Sequence, residues 1–564
     1  MLNALRNIIK ILKYYNRQNI FFLVLLMIMV SILELIGISL VIPFVTTLIE
    51  PNLNDGYIYL ILKNYLSNFN YKSFSIILII FILIFYLLKN LFIIYVVMKQ
   101  TRYSMNLITL IRDDFFKRYL KENYVEFIKK DQAELISNIM NVSADFGSTF
   151  MFNLLIFISE FLIILSLIFL LLFFNFKLSL VLIVVFSVIL FFYFKYISPK
   201  LKKAGGQRIQ SDNKVIDYSK LSFQNIKEVK IFGKEEYFLK IFHENALISE
   251  DSNFFYIVSA QYPRLGMEFF AVLCITLLTI LMNYLGFSNT VVLTTLAFFG
   301  IAIFRILPSA NKLMFAFQAI RFSKNTLDII LNELSKNKDN KIVKTNQISN
   351  LNFNKEIQIQ NISYGYSNNL VLKNLNFNIK KGEFIGIKGE SGSGKSTLID
   401  ILLGLISPKT GNILVDGSDI FQNISQWQLK CGYVSQNIFF INDTIEANVA
   451  FGDYKEDINR NNVWDSLKKA DLYEFVEKLK KKEKTLIGEN GLAISGGQRQ
   501  RLAIARALYR DPEIIFFDEA TSALDKKTEK NVLESIGKLK GKVTLLLVSH
   551  NNDIFQNCDK IIEI

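Results

Sequence analysis

Three cysteines and two histidines in 564 residues leave little room for metal or redox chemistry. Cys274, Cys431 and Cys558 are scattered without zinc-site spacing, and three thiols so placed give no disulfide framework. Of the histidines, His243 lies in a charged helical stretch, whereas His550 comes at the end of the expected strand 543–548, after Ser549. The N-terminus also lacks a small-residue cleavage site. Its apolar run continues well past the length of a signal-peptide core, so it is expected to be retained as a span. What the chain has in excess is apolar residues, 51% of the total with 50 Phe and a mean hydropathy of +0.31. That is too apolar for a wholly soluble protein, and too long for one core. The net charge of +14 could suit nucleic acid. In so apolar a chain, surplus Lys and Arg instead mark cytoplasmic loops facing anionic lipid, and no nucleic-acid partner is expected.

The stretch that organises the chain is GESGSGKST: Gly389, Glu390, Ser391, Gly392, Ser393, Gly394, Lys395, Ser396 and Thr397. It fills G-x-x-x-x-G-K-[ST] and sits between two apolar runs, 384–387 and 398–405, the strand, loop and helix context that a phosphate loop needs. Glycines let backbone N–H groups turn inward, the helix aims its positive end at phosphates, and Lys395 adds a point charge. Ser396 is then placed to ligate Mg²⁺.

Other markers surround it. Tyr366 is placed either to stack on a purine or simply to sit as a surface strand aromatic. The apolar residues 514–517 lead into Asp518 and Glu519, suited respectively to Mg²⁺ and to polarising the attacking water. Gln436, in YVSQN, can reach between the metal site and the membrane half. Ser495, Gly496, Gly497 and Gln498 open a helix and form a second phosphate cradle. Since the first cradle already holds phosphates, the second is expected to cap the nucleotide of another copy, with residues 522–525 bridging the two. His550 is expected to donate to the γ-phosphate.

Upstream, six spans are predicted near 20–48, 75–98, 150–173, 178–197, 263–285 and 290–314, each able to cross roughly 30 Å of hydrocarbon. A surface-lying amphipathic helix is predicted over 1–19, and another short helix outside over 51–72. The connections 99–147 and 198–262 carry eight and ten Lys/Arg, against only Lys63 and Lys72 in 51–72, which puts both termini in the cytoplasm. The spans flanking the basic connections are expected to run on as helices, with transverse tips at 124–129 and 222–227. Charges fall within the spans or at their ends: Glu34, Lys89, Glu160, Arg264, Glu268, Arg305 and Lys312. Either Lys89, Arg264, Arg305 and Lys312 line a cavity for an anionic head group, or they pair with Glu34, Glu160 and Glu268. Arg305 and Lys312 lie seven apart on one helical face with Pro308 between them.

With GESGSGKST, YVSQN, ISGGQ, IIFFDE, SALD and VSH in this order, residues 351–564 resemble the nucleotide-binding domain of ABC transporters. The six preceding spans look like an exporter half-transporter. The resemblance implies a membrane α-helical domain over 1–333, a linker at 334–350 and an α/β P-loop ATPase domain over 351–564. It also implies a homodimer with two composite ATP and Mg²⁺ sites in a bacterial inner membrane. In it Tyr366 meets adenine, Gln436 meets Mg²⁺ and water, Ser495 to Gln498 meet the opposite ATP, Glu519 is the base, His550 the γ-phosphate switch, and Glu489 touches the cytoplasmic helices. The patches ISLVIPFV, SPKLKKAG and FRILPSANKLM make the membrane half similar to flippases of lipid-linked oligosaccharides in bacterial protein N-glycosylation. That resemblance implies a lipid-linked anionic substrate, with the basic span residues on its pyrophosphate and the external helix on its polyprenyl tail. Lys89 stands where an arginine is expected, a point charge in place of a bidentate fork.

Overall fold

A computed structural model of the chain describes residues 9–11, 13–15, 18–49, 71–174, 176, 180, 187, 191, 193, 195–284, 286, 289–336, 351–366, 369–390, 392–488, 491, 494–520, 526–549 and 552–564. These divide into two compact units, one holding the helices up to Lys336 except Asn123–Glu126, the other holding Asn123–Glu126 and the residues from Leu351 onward.

Among the described residues the regular structure of the first unit is helical. Four stretches among the described residues are long and apolar enough to cross a membrane: Ile20–Leu40, Ile79–Leu120, Gln132–Phe173 and Glu235–Tyr284. The expected span 290–314 falls in the helix Asn289–Phe322, which continues through Pro308. Most of 178–197 and of the external segment 51–72 lies outside the described residues. The helices do run on beyond a bilayer: Tyr71–Leu120 has 50 residues, about 75 Å at 1.5 Å per residue. The first tip forms a short helix, Tyr124–Ile128. The second differs from expectation, because residues 222–224 still belong to Ser198–Gln224 and the short helix is Ile226–Ile231. Asn225, at φ −109° and ψ 35°, leaves helical geometry and moves the break three residues along. Lys324–Lys336 is helical to its end, so the first three residues of the expected linker are helix and the remainder lies outside the described residues.

Near the N-terminus Ile11 is fully buried among Leu107, Ile111 and Phe115. Tyr15 donates to Asp114 at 2.7 Å, tying the expected surface helix to a span. The helix after the first tip contains two π turns, Asn138–Val142 and Phe146–Met151. Such turns displace carbonyls from the α ladder, and Arg112 donates to two of them, Ile139 O at 3.2 Å and Met140 O at 3.0 Å.

Among the described residues the second unit carries two sheets. Strands β1 (Glu356–Tyr366), β2 (Asn369–Lys380), β4 (Thr410–Val415) and β5 (Ser418–Asp419) form an antiparallel sheet in the order β2-β1-β4-β5. Strands β3 (Phe384–Lys388), β6 (Cys431–Val434), β7 (Ile514–Asp518), β8 (Thr544–Ser549) and β9 (Lys560–Glu563) form a parallel one in the order β6-β7-β8-β3-β9. Continuous apolar runs such as residues 514–517 suit a parallel strand covered on both faces. Alternate residues do face opposite cores. Ile515, Phe517, Leu545 and Leu547 join one, and Ile514, Phe516, Leu546 and Val548 the other. Trp427, fully buried, donates its indole N–H to Leu402 O at 2.6 Å, anchoring the helix that follows the phosphate loop.

Candidate nucleotide site and transmembrane charge cluster

Because β3, β6, β7 and β8 are parallel neighbours, the segments leaving their C-terminal ends emerge at one edge of the sheet, where open α/β sheets bind ligands. The phosphate loop follows β3, Gln436 follows β6, and Asp518 ends β7 with Glu519 just after it. Three markers far apart in sequence are thus brought to one place.

The loop has the geometry its glycines promised. Gly392 and Gly394 hold φ of +83° and +99°, the left-handed region where a side chain strains the backbone. A Cβ on Gly394 would come within 2.7 Å of Val371 Cγ1, and one on Gly389 within 2.6 Å of Ser393 Oγ. Lys395, 5% exposed at the first turn of Lys395–Leu402, folds back to donate to Gly389 O at 3.0 Å and Glu390 O at 2.7 Å. Ser393 Oγ is buried without a hydrogen-bond partner, a polar atom inside a loop that phosphate oxygens would satisfy. Ser396 Oγ donates to Asp518 Oδ1 at 3.3 Å, so the two Mg²⁺ candidates already adjoin. The residues therefore fit the triphosphate and metal. Gly389, Gly392, Ser393, Gly394, Lys395 and Thr397 would surround phosphates, and Ser396 and Asp518 would hold Mg²⁺, which supplies charge neutralisation at the γ-phosphate.

Electrostatics at this edge are unbalanced toward carboxylates. Burial pushes the Asp518 carboxyl above its usual range, with Glu519 adding to the rise and Ser396 and Lys395 opposing it. Asp400, one helix turn past the loop, is pushed up to about 6, first by burial and then by the Asp518 charge. The Tyr433 hydroxyl bonds to Asp518, and burial with the nearby carboxylates holds its phenol well above the usual range. Glu519 has a left-handed backbone, φ +48°, fixed by its N–H donating to Val548 O at 3.1 Å. Strain of this kind is confined to positions the surroundings over-determine. Its Oε2 accepts from Gln436 Nε2 at 2.8 Å, joining the expected base to the expected metal-and-water residue. Ser391, Glu489, residues 521–525 and His550 lie outside the described residues, as does the side chain of Tyr366, the last residue of β1. Sequence reasoning missed Tyr433 and Asp400. Asp400's place, five residues after Lys395 on the same short helix, was the available signal.

The second cradle is a formed capping box. Ser495 Oγ accepts from Gln498 N at 3.4 Å while Gln498 Oε1 accepts from Ser495 N at 2.9 Å, opening Gly496–Leu508. Gly497 is required on packing grounds too, since a Cβ there would run into Thr528.

In the transmembrane unit all four candidate cations have carboxylate partners. Lys89 Nζ lies 3.1 Å from Glu34 Oε2, and Arg305 Nε donates to the same oxygen at 2.9 Å. Lys312 pairs with Glu160 at 3.4 Å, and Arg264 with Glu268 at 3.2 Å one turn along an exposed face. Of the two expectations, internal pairing is the one these distances satisfy. Sequence reasoning missed Tyr86, whose ring centroid is 4.1 Å from Lys89 Nζ. The i, i+3 spacing was its only signal.

The comparisons with known proteins agree with this architecture. Residues 21–307 match the family model of the ABC transporter transmembrane region and residues 372–522 that of the ABC transporter. A lipid A-core flippase of Saccharophagus degradans is 32% identical over 377 residues, covering 66% of this chain and 61% of that protein. The mitochondrial iron-sulfur clusters transporter ATM1 of Kluyveromyces lactis is 33% identical over 365 residues, covering 63% and 49%. The chain spans about half the length of the curated relatives it matches. A bacterial Atm1-family ABC exporter with ATP bound has the same fold, with a TM-score of 0.75 at 22% identity over 97% of this chain and 93% of that one. A helical transmembrane region, followed in the same polypeptide by a phosphate loop and its partner carboxylates at one sheet edge, makes this chain a half-transporter of the ABC transporter family.

Proposed function

We propose that two copies of the chain form an ATP-driven exporter of amphiphiles. ATP held between the phosphate loop of one copy and Ser495–Gln498 of the other closes the nucleotide domains, and hydrolysis reopens them. The observation that carries the ATPase reading is the contact of Gln436 with Glu519, beside the Ser396–Asp518 pair and Lys395. Glu519 then takes a proton from the attacking water and His550 donates to the γ-phosphate. Tyr366 stacks on the purine.

For the cargo, the reading is a polyprenyl-pyrophosphate-linked oligosaccharide, turned from the cytoplasmic to the outer face of a bacterial inner membrane. Its support is the cluster of Lys89, Arg305 and Lys312 within the helices, together with Arg264 at a span end. Their surplus over local carboxylates favours an anionic head group. A second reading, a lipid A-type amphiphile, is favoured by the relative named for that cargo. ATPase activity in liposomes separates them. Stimulation by a lipid-linked oligosaccharide is expected; stimulation by lipid A alone overturns the first cargo in favour of the second.

A further inference from the structure

We propose that Glu34 is a counter-ion gate: its carboxylate occupies the place between Lys89 and Arg305 that an anionic phosphorylated head group takes, so head-group binding displaces it. The proposal rests on the reading of the cargo as an amphiphile with such a head, and it assigns Glu34 as the residue that sets how readily anions enter.

Three helices contribute one charge each: Gln18–Ile49 brings Glu34, Tyr71–Leu120 brings Lys89 and Asn289–Phe322 brings Arg305. Arg305 addresses both oxygens of Glu34, Nε to Oε2 at 2.9 Å and Nη2 to Oε1. This is the fork geometry by which guanidinium groups take carboxylate and phosphate alike. Lys89 Nζ shares Oε2 at 3.1 Å. Two cations thus divide a single negative charge. A phosphate or pyrophosphate offers more oxygens and more charge than a carboxylate, and can satisfy both without sharing.

Exposure says which member an arriving group meets. The side chains of Lys89 and Glu34 are 5% and 3% exposed, whereas that of Arg305 is 27% exposed. Lys89 is held in place by Tyr86, whose ring covers it and whose hydroxyl donates to Gly37 O at 3.3 Å on the helix that carries Glu34. Arg305 can therefore exchange its partner while Lys89 remains anchored. Two turns along the same helix, Lys312 is 64% exposed beside Glu160, whose Oε2 is buried with no hydrogen-bond partner. The exposed side of the cluster is thus cationic at both levels.

The test uses full-length protein in zwitterionic nanodiscs, with farnesyl pyrophosphate as the probe and farnesol as its uncharged control. Affinities of wild type, Glu34→Gln, Glu34→Asp and Glu34→Gln combined with Arg305→Ala are measured. Freeing Arg305 from a charge-assisted pair is expected to tighten pyrophosphate binding about tenfold in Glu34→Gln. Glu34→Asp stays near wild type, farnesol is indifferent, and Arg305→Ala cancels the gain, which also rules out binding at the phosphate loop. Unchanged or weaker binding by Glu34→Gln, a gain that survives Arg305→Ala, or no binding by any form overturns the proposal. If Glu34→Gln does not fold, Glu34→Gln with Lys89→Gln removes the buried charges as a pair and should still bind more tightly than wild type. Failure of both to fold would make the triad a structural staple and overturn the gate. The cargo reading fails separately, through lipid stimulation of the ATPase, so the two outcomes are distinguishable.

Discussion

The two units hold their key cations in opposite ways. Lys395 is positioned by carbonyls five and six residues away in its own loop, whereas Arg305 is positioned by a carboxylate 271 residues away on another helix. The first arrangement is made of backbone and is fixed once the loop is closed. The second exists only after the helices pack, and its charge balance can shift when one partner leaves. A phosphate site that binds the same nucleotide every cycle suits the former, and the proposed cargo site, which would both take and release an anion, suits the latter.

The largest expected effect breaks the local arrangement at its chemistry. Glu519→Gln keeps the size and polarity of the side chain and the strained backbone beside Val548, but removes the proposed base. ATP turnover should fall by roughly 10²- to 10⁴-fold, while ATP binding, measured with a fluorescent analogue, is retained. Hydrolysis at wild-type rate would mean the proton goes elsewhere.

The same contrast explains what could be read from the sequence. The phosphate loop, the buried carboxylate-ended strand Ile514–Asp518 and the capping box at Ser495 are contiguous patterns whose geometry follows from neighbours in the chain, and each formed where its residues said. The π turns and the sharing of Glu34 by Lys89 and Arg305 depend on tertiary packing, which periodicity does not encode. Sequence could state that the buried charges must either line a cavity or pair, since isolated ones are too costly, but not which carboxylate would be shared. The displaced second tip has a local cause in Asn225, yet Asn is compatible with either break point, so the pattern alone did not decide it.

A smaller effect sharpens the picture of the carboxylate-rich edge. Asp400 titrates at about 6 in the fold, above its unfolded range near 3.9. The folded state then binds more protons than the unfolded one between those values, so stability falls as pH rises from about 4 to about 6. Undiscounted, that difference amounts to about 3 kcal/mol. Asp400 is only half buried, so screening reduces it. Asp400→Asn is expected to stabilise the metal-free protein by about 1 kcal/mol at neutral pH and to have no effect below about pH 4. Thermal unfolding across that pH range checks both the sign and the window.

The smallest expected effect isolates environment from distance. Lys230 lies 3.0 Å from Glu235, as close as Lys89 lies to Glu34, yet the side chains are 66% and 47% exposed. The Glu235 carboxyl is held below its usual range first by its own backbone N–H at the start of Glu235–Ser259, and only then by Lys230. Removing Lys230 leaves that first interaction in place and returns a solvated carboxylate to water, with nothing buried uncompensated. Lys230→Ala should therefore leave the Tm unchanged at any salt concentration, while Glu34→Gln, which strands the buried Lys89 and takes a partner from the partly exposed Arg305, lowers it by several degrees. An equal response from both would mean that separation alone sets the worth of these pairs, and that the helix interior gives Glu34 no special hold on its partners.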